Sequence, residues 1–249
     1  MKNIIKYVII GFIQGITEFL PISSSGHVVL FGDLLNMDNL MLLSIVSHVG
    51  TLLALLICYR KKVSSIIRHP KSATTWNLII ATIPAVVGVL LFNKFLENSF
   101  SIKTLVWGFL ISSFTLIIAG FKKEKYKPVK RSTALYMGLA QTVALFPGIS
   151  RSGSTLCSAF IIGTDKQEAL DFSFLMSIPI ILASAIYEGF KTFVNGVVIN
   201  WVAVSVVFVS SFIFGMLSIK IMLKIVKTNK LYLFGIYLLI LSWIVLAFC

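Results

Sequence analysis

The chain is predicted to be an all-α polytopic membrane protein: an inverted-topology repeat with six transmembrane helices and two re-entrant helical hairpins. Three observations predict this. Of 249 residues, 57% are hydrophobic and only 12% charged, with a mean hydropathy of +0.96, too apolar to cover a water-exposed surface. Apolar runs long enough to cross a ~30 Å hydrocarbon layer recur along the chain. Residues 11–26, GFIQGITEFLPISSSG, return in register as residues 138–153, GLAQTVALFPGISRSG, at an offset of 127 residues.

The first element, residues 4–35, is apolar but broken by Pro21 and a run of serines. Gln14 and Glu18 interrupt it and no small-residue cleavage site precedes Pro21, so it is expected to stay in the mature protein rather than act as a signal peptide. Spans follow at 40–59, 75–92 and 102–120. A second broken stretch, 132–164, precedes further spans at 170–189, 201–219 and 231–249. Each run has roughly the 18–20 residues that a bilayer requires.

Charge orients these elements. Loops 60–71, 122–131 and 220–230 carry five, six and four Lys/Arg, whereas those around 93–101 and 190–200 carry one each. With the heavy loops inside, sixteen of the 22 basic residues, Lys166 included, fall on the cytoplasmic side. Lys2, Lys6, Lys94, Lys103 and Lys191 fall outside, the first two against the trend. The span after the first broken stretch then begins outside, and the span after the second begins inside. Each broken stretch must enter and leave by one face, so the halves, about 1–126 and 127–249, have opposite orientation within a single membrane domain. Gly88 with Gly215 and Gly108 with Gly235 carry the same offset through the remaining spans.

The net charge of +13 lies in these short loops, which is a topology signal and not a nucleic-acid surface. Cys58, Cys157 and Cys249 lie in apolar stretches without metal-ligand spacing and read as small packing or lipid-facing residues. The four tryptophans fit interfacial anchoring or bundle packing.

Four ionisable groups are expected at depth: Glu18, His27, His48 and Arg151. A charge near the bilayer centre costs ~2.5–3.5 kcal/mol by insertion scales, so such groups persist when paired and facing a polar cavity. Glu18 and Arg151, one from each half, are expected to converge between the hairpins. His48 reads as a hydrogen-bonded packing residue beside Ser47, Gly50 and Thr51. In the first break Ser23, Ser24 and Ser25 can cap the next helix, Gly26 permits close backbone approach, and His27 can exchange a proton. The second break, from Pro147 to Thr155, repeats the design with Arg151 where the first has Ser24. Free amides at a helix N-terminus and a guanidinium fork suit phosphate oxygens. Carboxylate, hydroxyls and imidazole from one half and guanidinium and hydroxyls from the other suit cleavage of a phosphoester or phosphoanhydride.

The stretches Gln14-Gly-Ile-Thr-Glu18-Phe-Leu-Pro-Ile-Ser-Ser-Ser-Gly-His27 and Pro147-Gly-Ile-Ser-Arg-Ser-Gly-Ser-Thr155 closely resemble the two signature motifs of the undecaprenyl-diphosphate phosphatases, the bacitracin-resistance family of bacterial membrane enzymes. The resemblance continues through Ile80-Ala-Thr-Ile-Pro-Ala85 and Phe172-Ser-Phe-Leu-Met-Ser-Ile-Pro179 and covers nearly the whole chain. It implies hydrolysis of undecaprenyl diphosphate to the monophosphate in the bacterial cell membrane, at a site open to the external face. Such activity recycles the lipid carrier of cell-wall precursors and counters bacitracin, which sequesters the diphosphate. The resemblance also implies a divalent cation, Mg²⁺ or Ca²⁺, for which Glu18 is the candidate ligand. It gives catalytic roles to Glu18, Ser24, His27 and Arg151. Substrate binding is further expected of Gln14, Thr17, Ser23, Ser25, Gly26, Ser150, Ser152, Gly153 and Thr155; of these, the resemblance itself matches Ser150 and Thr155 to second-motif hydroxyls. Gln14 stands where some members carry a second glutamate, and an amide cannot serve as a base.

The residues leave three candidates for the nucleophile: Ser24, with Glu18 or His27 removing its proton, His27 itself, or water activated by Glu18 and a metal. Expected partners are a polyprenyl diphosphate and membrane lipids, with a homodimer left open. The alternative function is a polyprenyl-phosphate transporter or flippase built on the same inverted repeat. A flippase would need Arg151 and anion-binding amides, but not Glu18, Ser24 and His27 together.

Overall fold

A computed structural model describes residues 2–99, 101–122, 126–196, 198–228 and 230–247; Cys249, expected as a small packing or lipid-facing residue, lies outside them. Among these residues every regular element is helical. They run α1 (Lys2–Phe19), α2 (Ser24–Leu34), α3 (Leu40–Cys58), α4 (Arg60–Arg68), α5 (Ala73–Asn98), α6 (Ile102–Gly120), α7 (Arg131–Val143), α8 (Arg151–Ile162), α9 (Lys166–Val194), α10 (Trp201–Ile225) and α11 (Tyr232–Ala247).

Among the described residues five helices are long and apolar enough to cross a membrane: α3, α6, α10 and the Ala73–Phe92 and Lys166–Thr192 parts of α5 and α9. The sixth expected span, 231–249, appears as the apolar α11, whose described part is 16 residues long. The protein is thus a multi-pass membrane protein. Its outer surface is correspondingly apolar, with Leu90, Leu91, Phe190 and Ile186 exposed, and all four tryptophans lie on it. Such a surface is stable against lipid and not against water. The first basic loop is partly helical: α4 carries Arg60, Lys61, Lys62 and Arg68 in one short amphipathic turn sequence, and Lys62 pairs with Asp171 of α9.

Both broken stretches form helix pairs with the break where Pro, Gly and Ser interrupt the apolar pattern. The first break spans residues 20–23, the second 144–150. The 127-residue offset carries α2 onto α8 in register and α1, α3, α5 and α6 onto α7, α9, α10 and α11. Packing is exchanged between the halves. Helix α1 lies along α10, with Gly11 against Val207 and Ser210 and Gly15 against Ser211 and Gly215, and Ser218 donates to the Gly15 carbonyl at 2.7 Å. The matching α7 lies along α5, with Gly138 against the Ala81 backbone. Small residues permit these close crossings, and interior hydroxyls bond back to their own helices. Pro84 and Pro179 sit inside α5 and α9, a placement that neighbouring helices make tolerable within a membrane.

The core gathers around the two breaks. Phe19 meets Phe174 edge-on at 5.3 Å, and Phe109, Leu156 and Met176 are fully buried beside them. Helix α6 crosses the second break backbone to backbone. A side chain at Gly108 would meet the Pro147 carbonyl and the Gly148 backbone, and Gly148 (φ +83°) lies against Leu105. Gly108→Ala should therefore destabilise the protein by about 1–3 kcal/mol through overpacking. Gly189→Ala, where a Cβ would meet nothing within 4 Å, should be neutral; thermal unfolding in detergent distinguishes them.

Candidate active site

Glu18 is the last polar residue of α1 and is 5% exposed. Arg151 opens α8, 133 positions later, and its Nη2 donates to Glu18 Oε1 at 2.5 Å. The other carboxylate oxygen, Oε2, accepts from Gln14 Nε2 at 2.9 Å and from Ser24 Oγ at 2.6 Å. Gln14 reaches it because residues four apart share a helix face. Ser24 reaches it because the chain reverses between α1 and α2. The expected meeting of the two halves is therefore observed as a direct buried contact.

The reversal depends on Ser23, the residue before α2. Its backbone is left-handed (φ 65°, ψ 88°) with no side-chain cap, a conformation that costs a non-glycine residue of order 1 kcal/mol or more. With no side-chain cap, the first amides of α2 have no intrahelical partner and face the break. Helix α8 begins differently: Ser150 is extended (φ −75°), and its hydroxyl accepts from the Gly153 amide at 3.1 Å. The Ser150 amide in turn donates to Ser112 Oγ of α6 at 2.9 Å. Arg151 is thereby delivered from a rigid cap. Its Nη1 is buried without a partner, a donor left over for an incoming anion.

The other expected residues divide by contact. Ser152 Oγ donates to the Leu20 carbonyl at 2.9 Å and ties the two breaks together. Ser25 lines a cleft of about 590 Å³ between α2, α3 and α9, with Val28, Met41, Ile45 and His48. Three face packing instead. Thr17 bonds back to Ile13, Thr155 to the Arg151 carbonyl and Ser173, and Gly26 lies under the Phe109 ring. His27 is buried, with Nδ1 2.8 Å from the Ser23 carbonyl and Nε2 2.7 Å from the Tyr237 hydroxyl; both ring nitrogens are engaged away from Glu18.

His48 is hydrogen-bonded, as expected, with Nδ1 2.8 Å from the Ser44 carbonyl; it also lines the cleft, and its Nε2 lies 3.7 Å from Glu18 Oε2. The stripe Ser44, Ser47, His48, Thr51 on one face of an otherwise apolar α3 is the sequence signal for it. Ser112 and Tyr237 have no such sequence signal, since single polar residues on spans carry no pattern.

Among the described residues no three His, Cys, Asp or Glu side chains group as metal ligands. The residues that could hold a divalent cation are Glu18 and Gln14. The Glu18 carboxylate stands beside Gln14, whose Oε1 is buried without a partner, and Mg²⁺ characteristically takes one or two carboxylates together with substrate phosphates.

An ion pair this deep is worth little net, but removing one partner strands a buried charge at a cost of about 3–5 kcal/mol. Arg151→Met should lower thermal stability by that order, and adding Glu18→Gln should recover most of the loss. Fully additive losses in the double variant would show that the two side chains do not depend on one another.

A family model described as Bacitracin resistance protein BacA matches residues 7–244. The chain is 36% identical over 246 residues to the undecaprenyl-diphosphatase of Thermosipho africanus, covering 95% of this chain and 97% of that protein. It is 37% identical over 254 residues to the undecaprenyl-diphosphatase of Carboxydothermus hydrogenoformans, covering 98% and 97%. Undecaprenyl-diphosphatase 3 of Bacillus cereus is 38% identical over 241 residues, covering 94% and 93%. With its two broken helix pairs joined through Glu18 and Arg151, this chain belongs to the bacitracin resistance protein BacA family.

Proposed function

We propose that the protein hydrolyses undecaprenyl diphosphate to undecaprenyl phosphate and inorganic phosphate. The observation that carries this reading is Ser24 Oγ at 2.6 Å from one Glu18 oxygen while Arg151, from the other half, holds the second. A nucleophile in contact with a base, beside a guanidinium with a free donor, is what phosphoryl transfer requires. The family membership and the diphosphatase names of three near-full-length relatives point the same way.

In this reading the terminal phosphate docks on Arg151 Nη1 and the open amides of α2. Ser24 Oγ attacks the terminal phosphorus and passes its proton to Glu18. The bond from phosphorus to the bridging oxygen breaks, and undecaprenyl phosphate leaves. Water then hydrolyses the phosphoserine and releases phosphate, with Glu18 returning the proton to Ser24. Glu18 and the Gln14 carbonyl would hold a divalent cation, which when bound neutralises charge on the diphosphate oxygens. Ser23, Ser25, Ser150 and Gly153 shape the break around the phosphates. The apolar cleft walls, Val28, Val29, Leu40, Met41 and Ile45, suit an isoprenoid chain.

The topology that goes with this reading has six spans, α11 being the sixth, and two re-entrant pairs, α1–α2 and α7–α8, in oppositely oriented halves. Two observations support it: the exchanged packing of α1 on α10 and α7 on α5, and the concentration of Lys and Arg in the loops after α3, α6 and α10. The cleft then opens to the external face of the bacterial cell membrane, where released carrier can return to cell-wall synthesis. Loss of free diphosphate lipid there would confer bacitracin resistance.

Phosphate release from a polyprenyl diphosphate by the purified protein tests the reading. Ser24→Ala should lose at least about 100-fold in kcat, far more than Ser23→Ala or Ser25→Ala, and EDTA should suppress release until Mg²⁺ or Ca²⁺ is restored. A fully active Ser24→Ala protein would eliminate the serine as nucleophile.

A further inference from the structure

Tyr237 stands on α11, outside both motifs, yet its hydroxyl is 2.7 Å from His27 Nε2 and its ring stacks on the imidazole at 5.7 Å with an interplanar angle of 14°. A carbonyl oxygen only accepts, so His27 Nδ1, facing the Ser23 carbonyl at 2.8 Å, must carry the ring proton of the neutral imidazole. Nε2 is then the acceptor and the Tyr237 hydroxyl the donor. The Ser23 carbonyl thus sets the tautomer and the Tyr237 hydroxyl holds the ring orientation, in the way that outer partners orient a working histidine.

What His27 holds is the strained residue of the site. The Ser23 carbonyl accepts the His27 ring proton and, at a longer 3.3 Å, the His27 backbone amide. Ser23 has no side-chain cap, and its hydroxyl is buried without a partner. A left-handed serine persists only where its surroundings over-determine it. Here the imidazole supplies the stronger of the two bonds on its carbonyl, and Ser24, the next residue, is the one aimed at Glu18.

The platform behind this contact is rigid. Gly235 of α11 lies against the Ser113 carbonyl of α6, and Ser113 Oγ donates to the Gly235 carbonyl at 2.7 Å. Phe109, also on α6, lies under Gly26 and 5.6 Å from the His27 ring. Tyr237 is therefore fixed relative to α2 by a third helix that touches both.

The geometry points to Tyr237 as a positioning residue for the reaction, acting through His27 on the Ser23 backbone and so on the aim of Ser24. This rests on the phosphatase reading above. Because both its ring nitrogens are engaged, His27 serves the same relay rather than attacking phosphorus.

The test uses purified full-length protein in nanodiscs. Tyr237→Phe keeps the stacked ring and loses only the hydroxyl, so a purely packing role predicts wild-type kinetics. The relay predicts a fall in kcat of roughly tenfold, with KM changed less than about twofold. His27→Gln should fall by a similar factor, and the double variant should be no worse than the worse single one. Nitrogen-15 imidazole spectra, with the His27 signal assigned by its loss in His27→Gln, should show Nδ1 protonated. In Tyr237→Phe the Nε2 signal should move toward that of a non-hydrogen-bonded ring nitrogen.

Wild-type kcat in Tyr237→Phe would overturn the proposal, as would losses that multiply in full or a His27 spectrum with the proton on Nε2. A His27→Gln protein inactivated as completely as Ser24→Ala would also overturn it, since that is the mark of a reacting group. An inactive wild type would sink the phosphatase reading, and the spectra would then decide the relay by themselves.

Discussion

A carboxylate and a guanidinium withdrawn from water into one helical bundle impose the constraint that organises this protein. Either charge alone would be costly at that depth, so Glu18 and Arg151 must meet, and the bundle is built to make them meet. Glu18 rides on a continuous helix, α1, clamped to α10 by Gly11 and Gly15. Arg151 opens α8 from a cap that Ser112 of α6 anchors. Neither half could complete the pair by itself, because the acid belongs to one and the base to the other.

The second requirement is backbone satisfaction. A helix interrupted within a membrane leaves amides and carbonyls that lipid cannot satisfy, and here the partners come from elsewhere in the bundle. The Leu20 carbonyl accepts from the Ile22 amide and from Ser152 of the opposite break. The Ser150 amide is taken up by Ser112, and the Ser23 carbonyl by His27. Arg151 Nη1 and Gln14 Oε1, on two side chains that touch the Glu18 carboxylate, are buried without a partner, and such unmet groups beside a charge suit a polar ligand.

The two halves share a pattern but not a chemistry. At the equivalent offset Glu18 becomes Leu145, Ser24 becomes Arg151 and His27 becomes Ser154. Gln14 is matched by Gln141, which is buried with both amide atoms unpartnered and has no carboxylate to serve. Even identical residues diverge: Ser23 is left-handed and uncapped, whereas Ser150 is extended and caps its helix. The duplicated scaffold thus carries carboxylate, serine hydroxyl and imidazole in one half and the guanidinium in the other.

The class of protein, the helix positions and both breaks were legible in the chain itself, because apolar run length and Pro/Gly/Ser interruptions act locally. The Glu18–Arg151 pairing was legible too, since buried charges must find each other and few were available. The roles of His48, Ser112 and Tyr237 were not. A polar residue on an apolar span announces that it faces inward, but its partner depends on how that helix is rotated and crossed against others. His27 illustrates the same limit. Its motif suggests chemistry, and only the packing of α11 shows its second nitrogen already taken. Local free energies set where the helices begin and end; long-range close packing, which no local pattern encodes, decided which side chains touch.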